Sequence, residues 1–219
     1  MHITSSTLSN RDSQNSVIES VSTNADGSAT IKLKTGIDAV ISEKDAPGQG
    51  VEVALLSRNI KIEGQAGGTV EQGGYLQVFH TPGVSQTIEG VEFTNMGQQK
   101  GNNRFPLQLL YNGNVPGTSV SRNTIRNSNH RCIVVDGTSN ATITANIAYD
   151  TAGHCFYFGH ESVDNLVTKN LGSRTNNAIG YGKHVSGKKK VEEFHHVLFA
   201  QRISERFSRC FILAASFQQ

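Results

Sequence analysis

Residues 119–132 read SVSRNTIRNSNHRC and residues 142–155 read TITANIAYDTAGHC. Asn123 and Asn146 stand 23 residues apart, and so do Cys132 and Cys155. A third copy, LVTKNLGSR at residues 166–174, places Asn170 a further 24 residues on. Recurrence at a fixed period in this range marks a repeat architecture, in which each unit needs its neighbours to bury an apolar side. Apolar residues keep the same beat. Val120, Ile143 and Val167 each precede the repeated Asn by three positions. A second stack aligns LLYNG (109–113), IVVDG (133–137) and FYFGH (156–160), the first pair 24 and the next 23 residues apart. Each period therefore carries two short apolar strands separated by polar turns, with Asn at one fixed bend.

The physical form of such a period is a coil. Strands at equivalent positions pair in parallel with the next coil, about 4.8 Å away. Asn suits the bend because it tolerates left-handed backbone angles. Stacked Asn amides also bond one another, so Asn123, Asn146 and Asn170 are expected to form a structural ladder. The predicted fold class is all-β: a right-handed parallel β-helix of the pectin-lyase-like type, its hand following the chirality of parallel crossovers. A leucine-rich array needs several Leu per period, which this sequence lacks, and a sandwich does not place Asn at fixed steps. Cys132 and Cys155, one coil apart, fit either a disulfide or two stacked free thiols.

Composition agrees with many short strands. Charged residues are 17% and hydrophobic residues 36%, Gly is high at 22 residues, and Trp is absent. A net charge of +2 gives no strong pull on nucleic acid, and Lys188–Lys190 reads as a solvated run. The opening MHITSSTLSNRDSQNSV lacks the apolar core of a signal peptide, and no run reaches the ~18 apolar residues of a membrane span. Three cysteines are too few for a disulfide scaffold.

Three segments follow. Residues 1–50 are β-rich and irregular, with SATIKLK (28–34) alternating as a strand with one buried face. Residues 51–186 hold the coils. Residues 187–219 break the pattern: Gly vanishes, and Val191, Phe194, Val197, Leu198, Ile203 and Phe207 fall at the spacing of an amphipathic helix. That helix would cap the coil stack, or the segment is an unrelated tail.

VEVALLSRNIKIEG, IEGVEFTNMGQ, RFPLQLLYNGNVPGTSVSRNTIRNSNHRCIVVDGTSN and NIAYDTAGHCFYF occur in that order between Val51 and Ala178. They resemble the cell-migration-inducing and hyaluronan-binding protein family, with its cell-surface transmembrane relative and the fibrocystin-like proteins. The resemblance makes residues 1–50 the end of a glycine-rich β domain, and the whole chain an excerpt. It implies placement outside the cell or at its surface, and the binding or breakdown of hyaluronan or another glycan. The family pattern Arg-Tyr-Pro-x-His-Phe-His meets Arg104-Phe105-Pro106-Leu107-Gln108-Leu109-Leu110 here, so both histidines are replaced. Asp136 stands where a His is common in the family, and Gly159, His160 and Glu161 stand near its acidic pair.

Glycoside hydrolysis uses two carboxyl groups facing one bond. Asp136 and Glu161, at corresponding ends of adjacent strands, are the candidate pair, with His154 as a candidate base; both acids also fit ordinary turns. Removing a proton beside a uronate carboxylate needs a base and a cation, and Arg104, Arg131 and His154 supply both types. Arg131 and His154 lie 23 residues apart, in adjacent coils, and form either a small cationic patch or an ordinary surface pair. The expected glycan-binding set is Arg104, Gln108, Asn112, Arg131 and His154. No metal and no cofactor is expected: His80, His130, His160 and His195–His196 lack ligand spacing, and no acid cluster suggests Ca²⁺. Asn140-Ala141-Thr142 is an N-glycosylation triplet. Three readings follow: a β-helix that binds a polyanionic, hyaluronan-like polysaccharide, an altered polysaccharide-degrading enzyme, or a structural fragment without an active site.

Overall fold

A computed structural model describes residues 1–5, 12–38, 51–65, 72–99, 104–159 and 161–176, and the backbone of 197–203. It contains no α-helix among the described residues. The chain forms two compact units, Met1–Ser57 and Arg58–Gln219.

The first unit is antiparallel. Strands β1 (His2–Ile3), β2 (Gln14–Asn15) and β5 (Val53–Ala54) form one small sheet, and β3 (Ile18–Thr23) pairs with β4 (Ala29–Leu33). Because β5 pairs with β1, this unit takes in residues that the sequence assigned to the coils. The strand expected in SATIKLK is present as β4, but its buried face is not: Val21 and Ile31, opposite each other, are 60% and 45% exposed. The ribbon has two strands, and no third element among the described residues covers its apolar side.

The second unit is built from coils of three strands each. The strands are β6 (Ile60–Glu63), β7 (Leu76–Phe79), β8 (Thr87–Glu89), β9 (Val91–Thr94), β10 (Leu107–Asn114) and β11 (Ser119–Ser121). They continue as β12 (Thr124–Ser128), β13 (Ile133–Ser139), β14 (Thr142–Thr144), β15 (Ile147–Ala152), β16 (Phe156–Phe158) and β17 (Asn165–Asn176). Three parallel stacks result: β7–β10–β13–β16, β6–β9–β12–β15–β17 and β8–β11–β14–β17. The long β17 runs through the last two, which merges them into one sheet. The sequence suggested two strands per coil. The third, in TIRNS and IAYDTA, was hidden by its outward Arg126 and Asp150.

Val120 pairs with Ile143 and Ile143 with Val167, in the register the spacing predicts. The other stack differs. Leu107 meets Ile133 and Leu109 meets Val135, a 26-residue step instead of 24. A slip of two residues keeps every side chain on its own face, so the apolar pattern does not reveal it. Inward-facing Leu107, Leu109, Ile133, Val135, Phe156 and Phe158 join Phe93, Val120, Ile125, Ile143, Ala148 and Val167 in one core. Fully burying a Val, Leu, Ile or Phe contributes roughly 1.5–3 kcal/mol, so most of the driving force resides here.

The Asn bend is built differently from the expectation. The left-handed residue is the one before each Asn: Arg122 (φ 55°), Ala145 (55°) and Lys169 (56°), with Gly90 (68°) in the coil before. That turn aims Asn123, Asn146 and Asn170 inward, and all three are fully buried. Asn123 Nδ2 donates to Asn146 Oδ1 at 3.1 Å, and Asn146 Nδ2 donates to Asn170 Oδ1 at 3.0 Å. Each Oδ1 also accepts the backbone N–H of the preceding Asn, at 3.1 and 2.9 Å. Asn is therefore selected here as a buried donor and acceptor in one plane.

Over the tail, the expected helix gives way to strand β18 (Val197–Ile203), antiparallel to β17 from Asn165 to Gly172. VLFAQRI is rich in β-formers, and its pairing covers the edge of β17 from Asn165 to Gly172. His160, Lys188–Lys190 and His195–His196 lie outside the described residues.

Candidate functional site

Strand alternation sorts the polar residues singled out in the sequence. On β10, Leu107 and Leu109 enter the core, so Gln108 and Leu110 face outward. Asn112 does not reach the surface. After Tyr111 (φ 53°) the chain turns, and Asn112 is buried. Its Oδ1 accepts from Thr81 N and Oγ1, and its Nδ2 donates to Val78 O and Thr138 Oγ1. Asn112 is a coil-to-coil tie and leaves the glycan-binding set.

The outer face of the β7–β10–β13–β16 stack gathers the rest. The turns that enter β10, β13 and β16 bring Arg104, Phe105, His130, Arg131 and His154 to one edge of it. The Arg131 guanidinium lies 4.1 Å over the Tyr157 ring and 5.8 Å from that of Phe105, so it bridges three coils. His154 stacks on Tyr157 with 6.5 Å between centroids and 15° between planes. His130 packs edge-on to Phe105 at 4.6 Å. Exposed Arg104 sits 5.2 Å over Tyr75 and donates to Gln98 Oε1 at 3.0 Å.

The electrostatics depart from a simple cationic patch. Burial, then the Arg131 and His154 charges, push His130 down to about 4. Its Nδ1 accepts the Arg131 N–H at 2.9 Å, which places its ring proton on Nε2. Burial and Arg131 also hold His154 below the usual histidine range. At neutral pH both imidazoles are uncharged, and Arg131 carries the positive charge of the cluster. His154 contributes a flat ring with donor and acceptor nitrogens.

Gln108 is fully buried, in register with Gln77 and Val134, and neither its Nε2 nor its Oε1 has a hydrogen-bond partner. Asp136 lies against the backbone of Gly159; a Cβ there would sit 2.3 Å from Asp136 Oδ1. Glu161 is exposed on a left-handed turn (φ 57°), where its carbonyl accepts from Ser139 Oγ at 3.1 Å. The two acids thus occupy different settings, one on the sheet face and one in a turn.

Of the two readings of the cysteines, the structure holds free thiols: Cys132 buried, Cys155 half-buried. Burial raises Cys132, whereas a hydrogen bond from Cys132 lowers Cys155. No group of three or more His, Cys, Asp or Glu among the described residues is arranged to hold a metal ion.

The aromatic residues of this face (Tyr75, Phe79, Phe105, Tyr157) escaped the sequence reading. Their signal was present: Tyr75, Gln77 and Phe79 alternate with inward Leu76 and Val78.

Comparisons place these features among known proteins. Residues 71–216 match the family described as the CEMIP beta-helix. Communication mutant protein F of Dictyostelium discoideum is 33% identical over 170 residues, 75% of this chain and 15% of that protein. Protein rliB of the same organism is 36% identical over 123 residues, 55% of this chain and 11% of its own. Cell surface hyaluronidase of Danio rerio is 32% identical over 144 residues, 57% of this chain and 10% of its own. The chain thus spans 10 to 15% of the length of these relatives. With the match running from the start of the β7 coil onward over stacked parallel strands, the chain belongs to the CEMIP beta-helix family.

Proposed function

We propose that the outer face of the β7–β10–β13–β16 stack binds a polyanionic glycan such as hyaluronan, outside the cell or at its surface, on a right-handed, pectin-lyase-like coil. The observation that carries this reading is the Arg131 guanidinium held over Tyr157 and beside Phe105. A guanidinium stacked on rings is pre-oriented and weakly hydrated, and its planar fork matches a uronate carboxylate. His154 beside it offers a ring and a hydrogen-bonding nitrogen to the same sugar. Arg104 adds a second, exposed charge. The name of the Danio rerio relative points to the same polymer.

Binding of the chain to immobilised hyaluronan, with Arg131→Ala beside the parent, tests this reading. Loss of one charge-assisted contact of ~1.5–3 kcal/mol weakens binding about tenfold or more. Affinity also falls as salt rises, because the contact is ionic and partly exposed. Equal binding by both proteins removes the site.

A second reading is an altered depolymerising enzyme. It is supported by a neutral imidazole beside a fixed guanidinium, the pairing needed to take a proton next to a held carboxylate. Here His154 is the base, Arg131 holds the carboxylate, and Asp136 and Glu161 are the candidate acids. Hyaluronan whose chain length is unchanged after incubation rejects this reading and leaves the first intact.

A further inference from the structure

We infer that Tyr75, Gln77 and Phe79 form a sugar-stacking subsite along β7, for a polysaccharide whose rings present apolar C–H faces and whose uronate carboxylate meets Arg104. This rests on the glycan reading above and names the part of the ligand that charge does not read. On β7, Leu76 and Val78 pack against the core, so Tyr75, Gln77 and Phe79 share the outward face. All three are exposed, Tyr75 by 41% and Phe79 by 56%. From Tyr75 to Phe79 the strand advances about 13 Å at ~3.3 Å per residue, long enough for more than one pyranose ring. Tyr111, 56% exposed, meets Phe79 edge-on with 6.1 Å between centroids, which fixes the Phe79 ring and widens the platform. Arg104, over Tyr75, places a charge at the other end.

The strip combines rings for C–H faces, the Gln77 amide for hydroxyls and the Arg104 guanidinium for a carboxylate, the three kinds of group a uronate-containing sugar chain presents. A separate observation points to a ligand. The Gln108 amide lies one strand away from Gln77 on the same row, fully buried, with donor and acceptor both unused by the protein. Buried polar groups normally have partners, so an orphaned amide at this place is a binding capacity in reserve. One amide offers a donor and an acceptor side by side. Sugar hydroxyls, each able to donate and accept, match that pattern once the side chains over Gln108 give way.

The test uses the 219-residue chain, hyaluronan fragments, and poly-glutamate as a probe that carries carboxylates but no sugar rings. Tyr75→Ala and Phe79→Ala each weaken hyaluronan binding up to about tenfold, the scale of one aromatic contact. Poly-glutamate binding and the circular dichroism spectrum stay as in the parent. Gln108→Leu raises the melting temperature, because a costly orphan is removed, yet weakens hyaluronan binding. Parent-like hyaluronan binding by the ring variants overturns the subsite; if Arg131→Ala still loses affinity, the glycan reading survives. Equal losses for both polymers also overturn it, since the strip then reads charge and not rings. A parent that binds neither polymer sinks the glycan reading and the subsite with it. A parent that self-associates through Phe79, with unchanged hyaluronan binding on its loss, reassigns the strip to a second copy of the chain and overturns the inference.

Discussion

At the scale of single residues, the coil depends on polar groups more than its composition suggests. Asn146 donates to Asn170 Oδ1 and Val120 O and accepts from Asn123. Asn146→Ala leaves several buried groups unpaired, at ~1–3 kcal/mol each before relaxation. We expect a loss of about 2–4 kcal/mol in urea unfolding, and a similar loss for Asn146→Asp, which lacks the amide donor. Ala145 holds a left-handed angle that costs an L-residue ~1–2 kcal/mol. Ala145→Gly therefore stabilises the chain, or at worst leaves it unchanged; clear destabilisation would contradict the strain. The 23- and 24-residue Asn spacing was legible because one coil fixes one repeat. The left-handed neighbour was not, because Arg122, Ala145 and Lys169 carry no turn signal. Asn112, expected in the glycan-binding set, is instead buried and tied to neighbouring coils, because the left-handed turn at Tyr111 diverts the strand's alternation.

His130 makes stability depend on pH. Its folded value is about 4, against ~6.5 in an unfolded chain. Between those limits the unfolded state binds a proton that the folded state refuses, so stability is fully present above about pH 6.5 and declines toward pH 4. His154, shifted the same way by burial and Arg131, adds to the decline. Urea midpoints taken from pH 7 to pH 4 should fall, and His130→Asn should flatten the slope; an unchanged slope would show that His130 is not the titrating group.

At the scale of elements, backbones of successive coils approach closely at chosen glycines. A Cβ on Gly64 would sit 1.9 Å from Asn95 O, and one on Gly73 2.0 Å from Gly97 O. Both obstacles are backbone, so neither can rotate away. Gly64→Ala should cost more than ~3 kcal/mol, read as loss of soluble protein or a large drop in melting temperature. The pair Arg126–Glu92 also ties adjacent coils, Nε to Oε1 at 2.8 Å, with Glu92 buried. The apolar stacks were legible because period-2 alternation survives in them. The third strand was not, since Thr124 and Ser128 are buried without being apolar. The two-residue slip of β10 is invisible in principle, and the apolar spacing of the tail suits a helix as well as the strand β18 because short apolar runs fit both periods.

At the scale of the molecule, the two units differ in protection. Ribbon β3–β4 is exposed along nearly its whole length, whereas β10 and β13 are buried at their inward and several outward positions. Hydrogen exchange should release the ribbon amides orders of magnitude earlier than those of β13, because local opening there exposes little apolar surface. Equal protection would mean that the ribbon is covered. The candidate site was half legible at this scale. One-coil spacing placed Arg131 beside His154 from sequence alone. Their desolvation, and the rings of Tyr157 and Phe105 that hold the guanidinium, depend on burial that only three stacked coils create.

The coil-to-coil bonds all run along one axis, which makes the unit mechanically uneven. Tension applied lengthwise meets the layers in series, so they detach singly at modest force, like leaves torn from a pad. Shear applied across them loads every bond between β12 and β15 at once and meets far greater resistance. A ligand lying along β7, as proposed above, would pull in the strong direction.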